Sequence, residues 1–151
     1  MNEEEPAVKS TDDVKVRSNA LSRGLLRIVD LRGDLRPPGN VVGLCGDRDA
    51  DKFYRINNFW SLAGPSATES HSAMDRLVAE MPKHGWEIAE HGREETEARD
   101  RYLKGNNKLD KFSVYVALLE PAPNSQLERP LLSVSLTSAC YQVPDGEETG
   151  Y

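Results

Sequence analysis

Two segments in the C-terminal half of this 151-residue chain alternate strictly between apolar and mostly small residues. Their apolar members are Phe112, Val114, Val116 and Leu118 in the first segment and Leu132, Val134 and Leu136 in the second. Successive side chains of a strand point to opposite faces of a sheet, so each segment presents one apolar face. The pattern predicts antiparallel strands with one face packed and the other in water.

Two other segments predict helices. Segment 12–35 carries apolar residues at helical steps, and Pro37-Pro38-Gly39 prevents the helix from continuing. Ser66 and Glu69 have the spacing of a capping box, and a helix that ends at Gly85 is expected to follow. The apolar stripe expected along this second helix consists of Ala67, His71, Met74, Leu77, Val78 and Met81.

Three further segments have the character of strands. Segment 52–62 is rich in aromatic residues, and segments 86–89 and 99–104 are shorter and weaker. Gly105-Asn106-Asn107 predicts a turn, because glycine and asparagine tolerate positive φ. Segment 121–130 is expected to be a loop.

This order of elements predicts an α+β fold. We expect a two-layer sandwich, in which two helices cover one face of an antiparallel meander sheet of four to five strands. Residues 1–11 are expected to form a disordered acidic tail, residues 12–143 a single domain, and residues 144–151 a flexible tail. The expected core contains Trp60 and Trp86 together with Met74, Val78, Val114, Val116 and Val134.

Cys45 and Cys140 are the only two cysteines, and they stand just before the first predicted strand and just after the last. Their placement favours a disulfide that ties the two ends of one domain together. The alternative is two separate buried thiols, since free cysteine is among the most buried residue types. A disulfide indicates an oxidising compartment, because cytosolic thiols are kept reduced.

The net charge of −6 and the pI near 5.1 argue against binding to nucleic acid or to anionic membranes. No apolar stretch approaches the roughly 20 residues that span a bilayer, so no transmembrane segment is predicted. The chain starts with acidic residues, and no signal peptide is visible. The expected partner is therefore a protein or a small molecule; the oligomeric state stays open.

No catalytic residue, metal site or cofactor is predicted. His71, His84 and His91 do not combine with the cysteines in any spacing typical of zinc ligands. The acidic runs 47–51 and 94–97 resemble solvated loops more than the paired carboxylates of a hydrolase, and no Gly-x-Ser-x-Gly sequence occurs. We therefore expect a protein that is not an enzyme, and a small hydrolase that uses the loop carboxylates is the least favoured alternative.

One surface is a candidate for binding. Tyr115, Ser133, Ser135 and Thr137 lie opposite the apolar positions of the last two strands, among other small residues. A flat strip of small side chains around one tyrosine suits a partner, since tyrosine is favoured at interfaces. The alternative is an ordinary solvent-facing side of an antiparallel sheet.

Several motifs carry a family resemblance over roughly residues 40–145. They are Phe53-Tyr54, Phe59-Trp60-Ser61-Leu62, Met74-Asp75-Arg76-Leu77, Gly85-Trp86-Glu87 and the segment from Ser135 to Cys140. In these motifs the chain resembles small actinomycete proteins of unknown function that are secreted or lipid-anchored. The resemblance implies a location in the cell envelope. The export signal and lipid-accepting cysteine of such proteins are not seen here, and Cys45 follows a large residue, Leu44.

Two hypotheses about function follow. The first is a non-enzymatic, lipoprotein-like domain that is displayed outside the cytoplasm and acts by binding, which requires a signal peptide upstream of the given start. The alternative is a cytoplasmic, acidic partner-binding protein, such as an inhibitor or immunity-type protein, which the net charge of −6 favours.

Overall fold

The computed structural model describes residues 5–123 and 126–151. Within these residues, two α-helices and seven strands form an α+β fold, as the sequence predicted. The elements are α1 (Thr11–Val29), β1 (Asp34–Gly43), β2 (Phe53–Ala63), α2 (Ala67–Glu80), β3 (Glu87–Arg93), β4 (Arg101–Asn107), β5 (Phe112–Leu119), β6 (Leu131–Ser138) and β7 (Tyr141–Gln142). A short 3-10 helix, Met81–His84, follows α2.

The sheet is antiparallel and has the order β1-β2-β6-β5-β4-β3, and the short β7 pairs with β2. Strands β3 to β6 form the predicted meander. Helix α1 contacts β1, β2 and β6, helix α2 contacts β5, and the two helices contact each other. The helices therefore cover one face of the sheet, which confirms the two-layer architecture, and the sheet is wider than predicted.

Strand β1 was not predicted, and the helix expected over 12–35 is shorter in the structure. Helix α1 ends at Val29, and Asp30 caps it in the left-handed region with φ of 41°. The chain then enters β1 and passes through Pro37 and Pro38. Proline is tolerated because β1 lies at the edge of the sheet, and the pairing with β2 is interrupted between Arg36 and Gly39.

The expected turn at 105–107 is also wrong. Strand β4 continues through Asn107, and Gly105 pairs with Ile88 on one side and Val114 on the other. A Cβ at Gly105 would lie 3.3 Å from the Glu87 carbonyl oxygen and 3.3 Å from Val114 Cγ1. Gly105 therefore allows close packing inside β4. The chain reverses direction after the end of β4, where Lys111 has φ of 56°.

Most of the predicted core is confirmed. Trp60 and Trp86 are 2% and 4% exposed and share one cluster with Met74, Val114, Val116 and Val134. The exception is Val78, which is only half-buried at the margin of this cluster.

The buried face of α2 is rotated from the apolar stripe that the sequence predicted. Its buried residues are Ser70, Ala73, Met74 and Leu77, whereas Ala67 is exposed. The small side chain of Ser70 faces Gly64, where a Cβ would lie 2.5 Å from Ser70 Oγ. These two small residues let the start of α2 approach the end of β2 closely.

A buried polar network joins α1 to the sheet. The Asn58 side-chain amide donates to Asn19 Oδ1 at 3.1 Å and to Asn40 Oδ1 at 2.9 Å. Ser22 Oγ donates to Asn58 Oδ1 at 3.0 Å. Asn58 is fully buried, so these bonds replace its contacts with water and fix the position of α1 over β1 and β2.

The predicted disulfide between Cys45 and Cys140 is present, with a Cα–Cα distance of 5.9 Å. Cys45 follows β1, and Cys140 lies between β6 and β7. The bond therefore joins the loop that leaves the sheet edge to the chain beyond β6, across a sequence separation of 95 residues.

The predicted tail 1–11 falls partly outside the described residues; its described part, residues 5–11, and the predicted tail 144–151 both contact the domain. The Lys9 amide donates to the Gln142 carbonyl at 2.9 Å, and the Gln142 amide donates to the Ala7 carbonyl at 2.9 Å. At the other end, Thr149 is buried and its hydroxyl donates to the Ala50 carbonyl at 2.9 Å.

Candidate functional site: the open face of the sheet

The face of the sheet opposite α1 and α2 carries the predicted partner surface. We call it the open face. Its side chains, read from the strand registers, are Arg36 and Val41 (β1), Arg55, Asn57, Phe59 and Ser61 (β2), Ser133, Ser135 and Thr137 (β6), Ser113, Tyr115 and Ala117 (β5), Tyr102, Lys104 and Asn106 (β4) and Glu87 and Glu90 (β3).

The structure brings the four predicted residues together on this face. Tyr115 lies opposite Ser135, and Ser133 and Thr137 lie on either side of Ser135 along β6. All four side chains are half-buried. They form a strip of hydroxyl groups with one aromatic ring beside it.

Phe59 completes the strip and was missed by the sequence analysis. It pairs with Ser135 from the side opposite Tyr115, and it is 50% exposed. Adjacent strands are about 4.8 Å apart, so the Phe59 and Tyr115 backbones flank β6 at a separation of about 10 Å. The sequence did contain a signal for it: Phe59 and Trp60 are consecutive residues of one strand, so their side chains point to opposite faces and only one of them can enter the core.

A second tyrosine supports Tyr115. The rings of Tyr102 and Tyr115 stack with centroids 6.2 Å apart and an interplanar angle of 20°. The Lys104 ammonium lies 5.7 Å from the Tyr102 centroid and 5.9 Å from the Tyr115 centroid. Such cation–π contacts, together with the stacking, hold the two rings in place.

Two glutamates bind the tyrosine hydroxyls. Tyr102 donates to Glu90 Oε1 at 2.5 Å, and Tyr115 donates to Glu94 Oε1 at 2.5 Å. The hydrogen bond to Glu90 raises the pKa of Tyr102 to about 12. Burial, followed by the bond to Glu94, raises the pKa of Tyr115 to about 12. Both hydroxyls are therefore neutral donors at physiological pH, and both carboxylates are already bound.

Glu87 forms an ion pair with Lys108 at 3.0 Å, and the other remaining charges of the open face are cationic. Lys104 lies 3.8 Å from Glu90, whereas Arg36 and Arg55 form no ion pair with any residue that the structure describes. Arg55 Nε is buried and has no hydrogen-bond partner among the described residues. The unpaired charge of this face is thus opposite in sign to the net charge of the chain, which is −6.

Of the chemical candidates considered from the sequence, Glu94 binds Tyr115 on the open face, whereas His71 lies elsewhere. His71 pairs with Glu120 and receives a 3.2 Å hydrogen bond on its carbonyl from Arg101, which also binds Asp75 at 2.5 Å. The hydrogen bond from Arg101 lowers the pKa of Asp75. This charged group fastens α2 to β4. Within residues 5–123 and 126–151, no three His, Cys, Asp or Glu side chains are grouped closely enough to hold a metal ion.

Comparison of the chain with protein-family models, with curated proteins and with solved structures found no match. Neither helix of the described residues is both long enough and apolar enough to cross a membrane.

Proposed function

We propose that this protein is a non-enzymatic domain that works outside the cytoplasm and binds a partner protein on its open face. The observation that carries the proposal is Phe59, a half-exposed aromatic ring in the middle of a face otherwise made of small and polar side chains. Aromatic anchors surrounded by polar residues are typical of the centre of a protein interface.

Phe59 has a physical reason to be covered. Full burial of a phenylalanine side chain contributes about 1.5–3 kcal/mol, and half of this ring is still in contact with water. The rings of Tyr115 and Tyr102 are held by stacking and by their glutamates, so a partner meets a preorganised surface. Preorganisation lowers the entropy that binding must overcome.

The unpaired charges indicate the chemistry of the partner. Arg36 and Arg55 both belong to the β1–β2 side of the open face: Arg36 pairs with Ser61, two residues from Phe59, and Arg55 lies about 13 Å from Phe59 along β2. Guanidinium groups bind carboxylates in a bidentate geometry, so the complementary segment carries Asp or Glu beside an apolar side chain.

The disulfide supports a location outside the cytoplasm. A bond between Cys45 and Cys140 persists in oxidising compartments, and the resemblance to secreted or lipid-anchored proteins agrees with such a location. The net charge of −6 favours the alternative, a cytoplasmic protein that neutralises a basic partner. The two proposals differ in the expected state of the thiols and in the charge of the partner.

Photo-crosslinking in the native host tests the binding face. A benzophenone amino acid placed at Ser135 is expected to capture one polypeptide, and mass spectrometry is expected to find an acidic segment at the attachment point. The same probe at Thr68, which is exposed on α2, is the matched control. With the captured partner purified, Phe59→Ala is expected to weaken binding about tenfold or more.

Three results would overturn the proposal: equal capture from Ser135 and Thr68, an unchanged affinity of Phe59→Ala, or a basic crosslinked segment. The last result would favour the cytoplasmic alternative. Non-reducing mass spectrometry of protein from the native host tests the compartment separately. Free thiols at both Cys45 and Cys140 would contradict an extracytoplasmic location.

A further inference from the structure

A cavity of about 480 Å³ lies at the start of α1, away from the open face. Its floor is formed by Phe112 and Tyr141, which are 4% and 2% exposed. Charged residues from the N-terminal segment and from the first turns of α1 form its sides. A concave site of this volume, with an apolar floor and a few polar groups, is typical of small-molecule binding.

Two of the charged residues around the cavity neutralise each other. Arg17 Nε donates to Asp110 Oδ1 at 2.8 Å, and Arg17 Nη2 donates to Asp110 Oδ2 at 2.6 Å. This bidentate geometry uses both carboxylate oxygens. The pair therefore closes one side of the cavity and offers no net charge to a ligand.

Two other charges in the cavity stay unpaired. Lys9 and Asp13 both line the cavity, and neither forms an ion pair with a residue that the structure describes. The Lys9 ammonium lies 5.2 Å from the centroid of the Tyr141 ring, so it sits beside the aromatic floor. The cavity thus presents one free cation and one free anion.

The Tyr141 hydroxyl is the third free group. No described residue forms a hydrogen bond with it, although the residue is 2% exposed. Burial, and then the negative charge of Asp110, raises its pKa, so the hydroxyl is neutral. A tyrosine hydroxyl can both donate and accept a hydrogen bond, so this group can serve either charged end of a ligand.

We propose that this cavity binds a small zwitterion with an apolar side group, the chemistry of a free α-amino acid. The ligand's ammonium group binds Asp13, its carboxylate binds Lys9, and its apolar group lies on Phe112 and Tyr141. The Tyr141 hydroxyl adds a hydrogen bond to one of the two charged groups. The site shares no residue with the open face and does not rest on the function proposed for that face.

Three probes of the same shape test the charge requirement by isothermal titration calorimetry with the full chain. They are phenylalanine, which is a zwitterion, phenethylamine, which is a cation, and 3-phenylpropionate, which is an anion. Phenylalanine is expected to bind about tenfold tighter than either analogue, because each analogue lacks one charge-assisted hydrogen bond. Equal binding of the three probes, tighter binding of either analogue, or no binding of phenylalanine at 10 mM overturns the proposal.

Variants assign the two ends of the ligand. Asp13→Asn is expected to weaken the binding of phenylalanine about tenfold and to leave the binding of 3-phenylpropionate unchanged. Lys9→Gln is expected to weaken the binding of phenylalanine by a similar factor and to leave the binding of phenethylamine unchanged. Asp12→Asn is the matched control, because Asp12 lies in the same helical turn and does not line the cavity. Circular dichroism checks that each variant is folded. If Asp12→Asn weakens phenylalanine as much as Asp13→Asn does, the assignment is wrong.

Discussion

Asn58 of β2 donates a hydrogen bond to Asn19 of α1 at 3.1 Å, inside an interface that is otherwise mainly apolar. The same amide reaches Asn40 of β1, so one side chain connects a helix to two strands. The network fixes the position of α1 along the sheet more narrowly than apolar contacts do, because a slip by one residue would leave buried amide groups without partners.

Replacing Asn58 with alanine is expected to destabilise the protein by about 2–4 kcal/mol. The substitution leaves Asn40 Oδ1 and the fully buried Ser22 hydroxyl without this partner, whereas Asn19 Oδ1 keeps the hydrogen bond from the Asn40 amide. Urea unfolding of Asn58→Ala measures the loss, and Asn106→Ala, at an exposed position of the open face, serves as the control. A loss equal to that of Asn106→Ala would show that the network contributes nothing.

Trp86→Ala is expected to destabilise the protein by about 3–5 kcal/mol, the usual result of removing a large core aromatic. Trp86 is 4% exposed in the main cluster. Phe59→Ala is the comparison, since Phe59 is 50% exposed and its removal is expected to change the free energy of unfolding far less. If chemical denaturation ranks the two variants in the reverse order, the assignment of the packed face is wrong.

Reducing the disulfide is expected to lower the free energy of unfolding by about 4–5 kcal/mol, since its loop spans a separation of 95 residues. Thermal unfolding in the presence and absence of a reductant measures the effect. The double variant Cys45→Ala, Cys140→Ala is expected to match the reduced protein and to be insensitive to the reductant. A reductant effect that persists in this variant would point to another cause.

Stability is expected to fall as the pH rises from about 10 to 12. Tyr102 and Tyr115 have pKa values near 12 in the folded protein, above the ordinary value of 10.0. A raised folded-state pKa stabilises the protein below the unfolded pKa, and this contribution is lost as the pH passes through the folded value.

Urea unfolding at pH 9, 10 and 11 measures this decline, and absorbance at 295 nm follows the ionisation of the tyrosines. The double variant Tyr102→Phe, Tyr115→Phe is expected to show a shallower decline. Because Tyr54 and Tyr141 also have raised pKa values, part of the decline is expected to remain. An identical decline in the double variant and the natural chain would contradict the role of the Glu90 and Glu94 hydrogen bonds.

The sequence by itself determined the elements whose patterns are local. Alternation predicted β5 and β6, the capping box predicted the start of α2, and Ser66 does accept a hydrogen bond from the Glu69 amide at 3.2 Å. The same alternation placed Tyr115 and Ser135 on a common face, because a strand's period of two residues needs no tertiary information. The two cysteines suggested a disulfide, and the structure contains it.

Only the tertiary structure decided what depends on neighbours distant in sequence. Pro37 and Pro38 were expected only to end a helix, and β1 exists because it pairs on one side only, with β2. Phe59 faces Tyr115 across β6 because β2 inserts beside β6, a strand order that no local pattern specifies. The cavity at α1 likewise joins residues from the start, the middle and the end of the chain. Local propensity acts within a few residues, whereas strand order is fixed by burial of the whole sheet under two helices.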